Sequence, residues 1–226
     1  MERETRFELA TLCLGSTYGA GFAATAISLI YSIPMSSRAG IIADIAAKAL
    51  LVGLLVYGAL NPDLAQFAGK AMTARAIAYP LAAMVVPIGW WLFARERRFP
   101  FAADVLITAP FLIDTLGNAL NLYDSIGWWD DVNHFMNWML LTAGFVLLVR
   151  WSDLTVLVAG LLGIGFGATT AILWELMEYF TFIRNSPELA TAYTDTLGDL
   201  GLGLAGSVTA STLIILADRW QRGTGD

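Results

Sequence analysis

Charge is what this chain has least of. Asp, Glu, Lys and Arg make up 14% of it, where a soluble domain carries about a quarter. With 57% hydrophobic residues, lipid is the expected main solvent. One cysteine, Cys13, excludes an intramolecular disulfide, and its apolar surroundings make it a small buried hydrophobe. A net charge of −6 and the lack of any basic patch interleaved with aromatics exclude a nucleic-acid partner. GxSxG, HExxH, CxxC and P-loop patterns are all missing. A nucleophilic triad would need His134 as its base, and no serine is obviously placed to use it. No glycine cluster follows a strand, which removes the dinucleotide fingerprint. No internal repeat or low-complexity stretch divides the chain, so residues 1–226 read as one domain.

Long hydrophobic runs are abundant. A bilayer core needs about 20 mostly apolar residues per helix. Seven segments meet this: about Phe7–Ile33, Ile41–Leu60, Ala76–Ala94, Phe101–Leu120, Asp131–Val149, Thr155–Ile183 and Thr194–Trp220. The fold class is therefore all-α, a polytopic transmembrane bundle of about seven helices. Met1–Arg6 is polar and acidic and the run after it is long, unlike a cleaved signal peptide, so the first helix is expected to be retained. Asn61–Arg75 places Leu64, Phe67, Ala68 and Met72 roughly on one side and predicts a short interfacial helix.

Lysines and arginines give an orientation. Side A collects Arg38, Lys48, Arg95, Arg97, Arg98, Arg150, Arg219 and Arg222; side B collects Arg3, Arg6, Lys70, Arg75 and Arg184. The dense Arg95–Arg98 loop is expected to put side A in the cytoplasm and the N-terminus outside. Trp90, Trp91, Trp151 and Trp220 fall near side A, and Trp128 and Trp129 near side B, as interfacial belts. Gly15/Gly19, Gly163/Gly167 and the run Gly198, Gly201, Gly203, Gly206 predict close helix approach. Asp44 and Lys48, four apart, predict a local pair, and Asp104 is expected to pair with the Arg95–Arg98 loop.

Acidic residues fall where lipid would disfavour them. Asp114, Asn118 and Asn121 share one face near the end of the fourth helix. Asp130, Asp131 and His134 open the fifth, Glu175 and Glu178 close the sixth, and Asp195 and Asp199 open the seventh. Up–down threading brings all four groups to side B, whatever the absolute orientation. Buried carboxylates together need protonation, a cationic partner or a metal. Arg184 is the one basic residue expected nearby, which favours protonation or a divalent cation with Asp131, His134, Glu175, Glu178, Asp195 and Asp199 as ligands. Asp114, Asn118 and Asp130 would support it. Blander readings stand beside this one: Asp130 is better read as a helix cap, Asp195 caps the last helix equally well, and a lone histidine is often a satisfied interfacial residue.

The motifs DxxxH-type (Asp130, Asp131, His134), WExxE (Trp174, Glu175, Glu178) and YxDTxxDLxxxxxG (Tyr193, Asp195, Thr196, Asp199, Gly206) resemble the YjdF-like bacterial inner-membrane proteins, with a more distant similarity to VanZ-like proteins. The resemblance covers about Asp114 to Ala217 and implies a small multi-pass protein of the bacterial cytoplasmic (inner) membrane carrying a recurring carboxylate–histidine set. It supplies no reaction. The VanZ-like branch implies a link to envelope lipids, but the arginine expected beside that group's last aspartates is absent here.

Three functions follow. The first is a metal site acting on, or binding, a lipid or other envelope molecule, with a bound water as nucleophile. The second is a non-catalytic subunit or scaffold for a membrane-protein partner. The third is a cation- or proton-coupled transporter, weakened by the lack of an inverted repeat. Catalytic residues and enzymatic activity stay open at this point.

Overall fold

A computed structural model describes residues 38–181 and 183–223. The expected helix Phe7–Ile33, with Cys13 and the Gly15/Gly19 pair, lies outside the described residues. The helices are α1 (Arg38–Leu60), α2 (Met72–Ala83), α3 (Val85–Phe93), α4 (Phe101–Ala119), the short α5 (Leu122–Ser125), α6 (Trp129–Val149), α7 (Val156–Thr181) and α8 (Ala192–Gly223). Two 3-10 turns, Ile183–Asn185 and Pro187–Ala190, link α7 to α8, and no strand occurs among the described residues. Six stretches are long and apolar enough to cross a membrane, α2 and α3 together forming one of them. Each lies within a few residues of its expected span.

The break between α2 and α3 has a local cause. Pro87 has no N–H to give the Ala83 carbonyl four residues before it, and the helix is interrupted at Met84. Met84 turns its own N–H onto the carbonyls of Pro80 and Leu81 at 3.1 and 3.2 Å. The helix also starts earlier than expected, at Met72, which places Arg75 inside its first turn.

No interfacial helix forms over Asn61–Arg75. The segment is a string of tight turns, Leu64 N–H to Asn61 O (3.2 Å), Phe67 N–H to Leu64 O (2.8 Å) and Lys70 N–H to Phe67 O (3.1 Å). Gly69 at φ +75° and Ala71 at +51° reverse the chain in the left-handed region. Half of the apolar pattern that suggested a lipid-facing helix instead plugs the protein: Phe67 and Met72 are buried beside Leu51, Leu55, Tyr79 and Ala83, while Leu64 and Ala68 stay exposed.

α8 runs along both α6 and α7, α6 joins α4, and α4 carries α1. Small residues set these distances. A Cβ on Gly167 would collide with Ser207, and one on Gly206 with the Phe135 carbonyl. Gly163 and Gly203 likewise meet Val146 and Trp138. Gly198 and Gly201 meet nothing within 4 Å, so the expected close approach does not extend to them. Gly206→Ala is therefore expected to lower stability by about 1–3 kcal/mol, since backbone cannot step aside as a side chain can. Thermal unfolding in detergent checks it, with Gly201→Ala as the matched substitution that should change little; equal shifts for the two would refute the packing argument.

Side A is tied by ion pairs. Arg150 and Arg222 hold buried Asp218 at 2.7 and 2.8 Å. Lys48 pairs with Asp44 as expected and also reaches Asp104 at 2.6 Å. The expected pairing of Asp104 with the Arg95–Arg98 loop is not found: α1 packs on α4 and brings Lys48 first, while Arg97 donates to the Trp151 carbonyl at 2.8 Å.

Candidate functional site

At side B the ends of α7 and the starts of α6 and α8 meet around one imidazole. α6 begins at Trp129 with Trp128 as its cap, and no side chain caps it, so the cap reading of Asp130 fails. Asp130 instead sits one turn before His134, on the same face of α6. Asp195 likewise lies inside the first turn of α8, not in a cap position ahead of it.

His134 is 8% exposed, Glu175 7% and Asp199 6%. The His134 Nε2 atom stands 3.6 Å from Asp130 Oδ1 and 3.8 Å from Asp199 Oδ1, and Nδ1 stands 3.8 Å from Glu175 Oε1. The other Glu175 oxygen accepts a hydrogen bond from Thr196 at 3.0 Å. Two sets emerge, Asp130–His134–Asp199 and His134–Glu175–Glu178, each able to present ligand atoms within 4.8 Å of one another. Asp130 and Glu178 are half-buried, which leaves the cluster an open edge.

Of the residues singled out in the sequence, His134, Glu175, Glu178, Asp199 and Asp130 come together. Asp131 is half-buried in the first turn of α6 and Asp195 is exposed in that of α8, both outside the two sets. Asp114 and Asn118 belong to a neighbouring network. Asp114 forms an ion pair with Arg75, its Oδ2 accepts from the Tyr79 hydroxyl at 2.7 Å and its Oδ1 from the Tyr123 hydroxyl at 2.8 Å. Asn118 donates to the Asp114 carbonyl at 2.9 Å. Tyr123 in turn accepts from Asn133, the residue before His134, at 2.9 Å. Tyr123 lies in the loop helix α5; burial first, then the Asp114 and Asp130 carboxylates, hold its phenol well above the usual range, so it remains a donor.

Arg75 corrects the expectation that Arg184 would be the one basic residue near the acids. Arg184 stands over the Phe180 ring at 5.6 Å. Arg75 arrives from α2, far away in sequence, and also donates to Tyr79 at 2.8 Å. The i, i+4 spacing of Arg75 and Tyr79 was the available signal. Tyr123 and Asn133 carried no signal beyond position, and Thr196 was marked only as part of the YxDTxxDLxxxxxG motif. A cavity of about 500 Å³ opens on the arginine side of this network, lined by Lys70, Arg75, Asn121 and Asp124 among others, and not at His134.

The family of predicted membrane proteins designated DUF2238 has a model that matches residues 43–220, most of the chain and every residue of the cluster. The chain belongs to this family. DUF2238 describes a membrane protein and names no reaction, in keeping with the six candidate spans. A curated relative from Thermotoga maritima, titled "Uncharacterized protein", is 31% identical over 119 residues, which is 49% of this chain and 59% of the relative. The chain thus matches less than two thirds of that relative's length. No solved structure matches this DUF2238 chain.

Proposed function

We propose that this chain is a multi-pass protein of the bacterial inner membrane, like the YjdF-like proteins it resembles. It holds a divalent cation at His134 and acts on the headgroup of a lipid or other envelope molecule. One observation carries the reading: a buried imidazole has carboxylate oxygens facing both ring nitrogens, all beyond the 3.5 Å reach of a hydrogen bond. Two ligand atoms about 2.1 Å from one ion stand roughly 3.0–3.4 Å apart, so a carboxylate need close on its ring nitrogen by only a few tenths of an ångström. The two nitrogens point apart, so one ion takes one of them: on the Nδ1 side Glu175 and Glu178 would be its ligands, with Asp130 and Asp199 facing the Nε2–H. Among the described residues, no lysine or arginine lies within ion-pair distance of Glu175, Glu178 or Asp199.

One nitrogen among several carboxylates suits Mn²⁺, Fe²⁺ or Zn²⁺ better than Mg²⁺ or Ca²⁺, which prefer oxygen throughout. Such an ion lowers the pKa of a bound water and supplies a nucleophile at neutral pH. A lipid is favoured as the molecule acted on because the flanking outer faces are apolar and exposed, through Leu176, Met177 and Phe180 on α7 and Leu197 on α8. Acyl chains would lie there with the headgroup at the open edge, beside Asp130 and Glu178.

Elemental analysis of protein purified into lipid nanodiscs tests this. About one equivalent of a transition metal per chain is expected, removable by chelation and restored on readdition. Metal-dependent headgroup release from a radiolabelled bacterial lipid extract would follow the same titration. Protein that neither retains nor takes up a stoichiometric metal would sink the proposal.

A further inference from the structure

A second polar cluster lies at the opposite face, and among the described residues its charges do not balance. Asp44 and Lys48 come from α1 and Asp104 from α4; Lys48 serves both carboxylates. By helix rise, Asp44 stands about 9 Å inside its helix end and Asp104 about 4–5 Å. Two carboxylates against one ammonium leave one negative charge in a low-dielectric place.

Asp104 is fully buried. Its Oδ2 takes the lysine, but its Oδ1 has no hydrogen-bond partner among the described residues. Thr108, one turn further along α4 and also fully buried, has a hydroxyl with no partner. Positions 104 and 108 share the α4 face that continues into Phe111 and Leu112, which pack against Leu51 and Leu55 of α1 or their cluster neighbours. Two open oxygens therefore lie one turn apart on the same α4 face, at a cluster one positive charge short among the described residues.

Three occupants can be weighed by what each satisfies. A water bonds both oxygens and leaves the charge. A proton shared between Asp104 and the Asp44 carboxyl within its reach cancels the charge but leaves the Thr108 hydroxyl open. A small monovalent cation does both: it coordinates Asp104 Oδ1 and the Thr108 hydroxyl and brings the cluster to neutrality, where a divalent ion would overshoot. A carboxylate oxygen favours the smaller, harder alkali ion. We propose that Asp104 and Thr108 form a sodium site in the α1–α4 seam, with Lys48 fixing the carboxylate between them.

The site is independent of the His134 cluster, so its test is run after chelation. Full-length protein in nanodiscs, stripped with EDTA, is titrated with ²²Na⁺ and its thermal unfolding is followed in NaCl, KCl and choline chloride at equal ionic strength. Expected are saturable binding near one sodium per chain and a rise in midpoint with sodium that choline does not give and potassium gives only weakly. Asp104→Asn should abolish both. Because that variant also removes a partner of Lys48 from the fold, Thr108→Val is the deciding one: it keeps every charge, and it should weaken sodium binding by about tenfold or more while Thr108→Ser keeps it. No saturable sodium binding by the wild type, or binding untouched by Thr108→Val, would overturn the assignment in favour of a proton or a water.

Discussion

Replacement of Arg75 by methionine is expected to lower folding stability by about 3–5 kcal/mol, because it strands Asp114 as an uncompensated charge. The pair is well buried, with side-chain exposures of 11% for Arg75 and 8% for Asp114. Tyr79 and Tyr123 would still donate to the carboxylate, but neither supplies a positive charge. Adding Asp114→Asn to the same chain should recover most of the loss, since a neutral amide strands no charge, its oxygen can accept from Tyr123 and its NH2 can donate to the Tyr79 hydroxyl that Arg75 vacates. Unfolding of single and double variants in detergent measures the coupling. A single variant that loses less than about 1 kcal/mol, or a double variant no better than the single, would show that the pair does not hold α2 to α4.

Removal of the His134 imidazole should have the largest effect on metal. His134→Ala is expected to abolish stoichiometric binding, because His134 is common to both ligand sets and each loses its nitrogen. Thr196→Val should act at one remove: it frees the Glu175 oxygen that Thr196 now holds, and a lost outer hydrogen bond of this kind weakens a metal by about 10–100-fold. Asp195→Asn, exposed and outside both sets, should leave affinity within about twofold, the scale of a screened surface charge. Competition against a fluorescent chelator ranks the three. An order in which Asp195→Asn matters more than Thr196→Val would mean that α8 presents a different face to the site.

The six expected spans that fall on described residues agree with the observed ones because each is written as a run of apolar residues of bilayer length, and such a run needs no knowledge of its neighbours. The gathering of acids at side B was legible for a similar reason. Alternating helices must return to the same face, so Asp130, His134, Glu178 and Asp199 share a level before any packing is known. Rotation about each helix axis was not legible. Asp130 and Asp131 differ by about 100° around α6, and which of them joins His134 depends on where α7 and α8 lie. Arg75 was hidden by distance along the chain: nothing near Asp114 in sequence announces it, and the turn-rich segment after α1 had to swing α2 onto α4 first.

The chain's composition and the lengths of its apolar runs determine by themselves that it is helical, that it crosses a membrane several times and which residues share each face. Lipid admits few ways to satisfy a backbone, so those features are local. Tertiary packing decided the partners: Arg75 with Asp114, Lys48 with Asp104, and three separate helices around one histidine. Side chains meet across helices through the rotation and tilt set by glycines such as Gly167 and Gly206, and that geometry exists only once the helices are in contact.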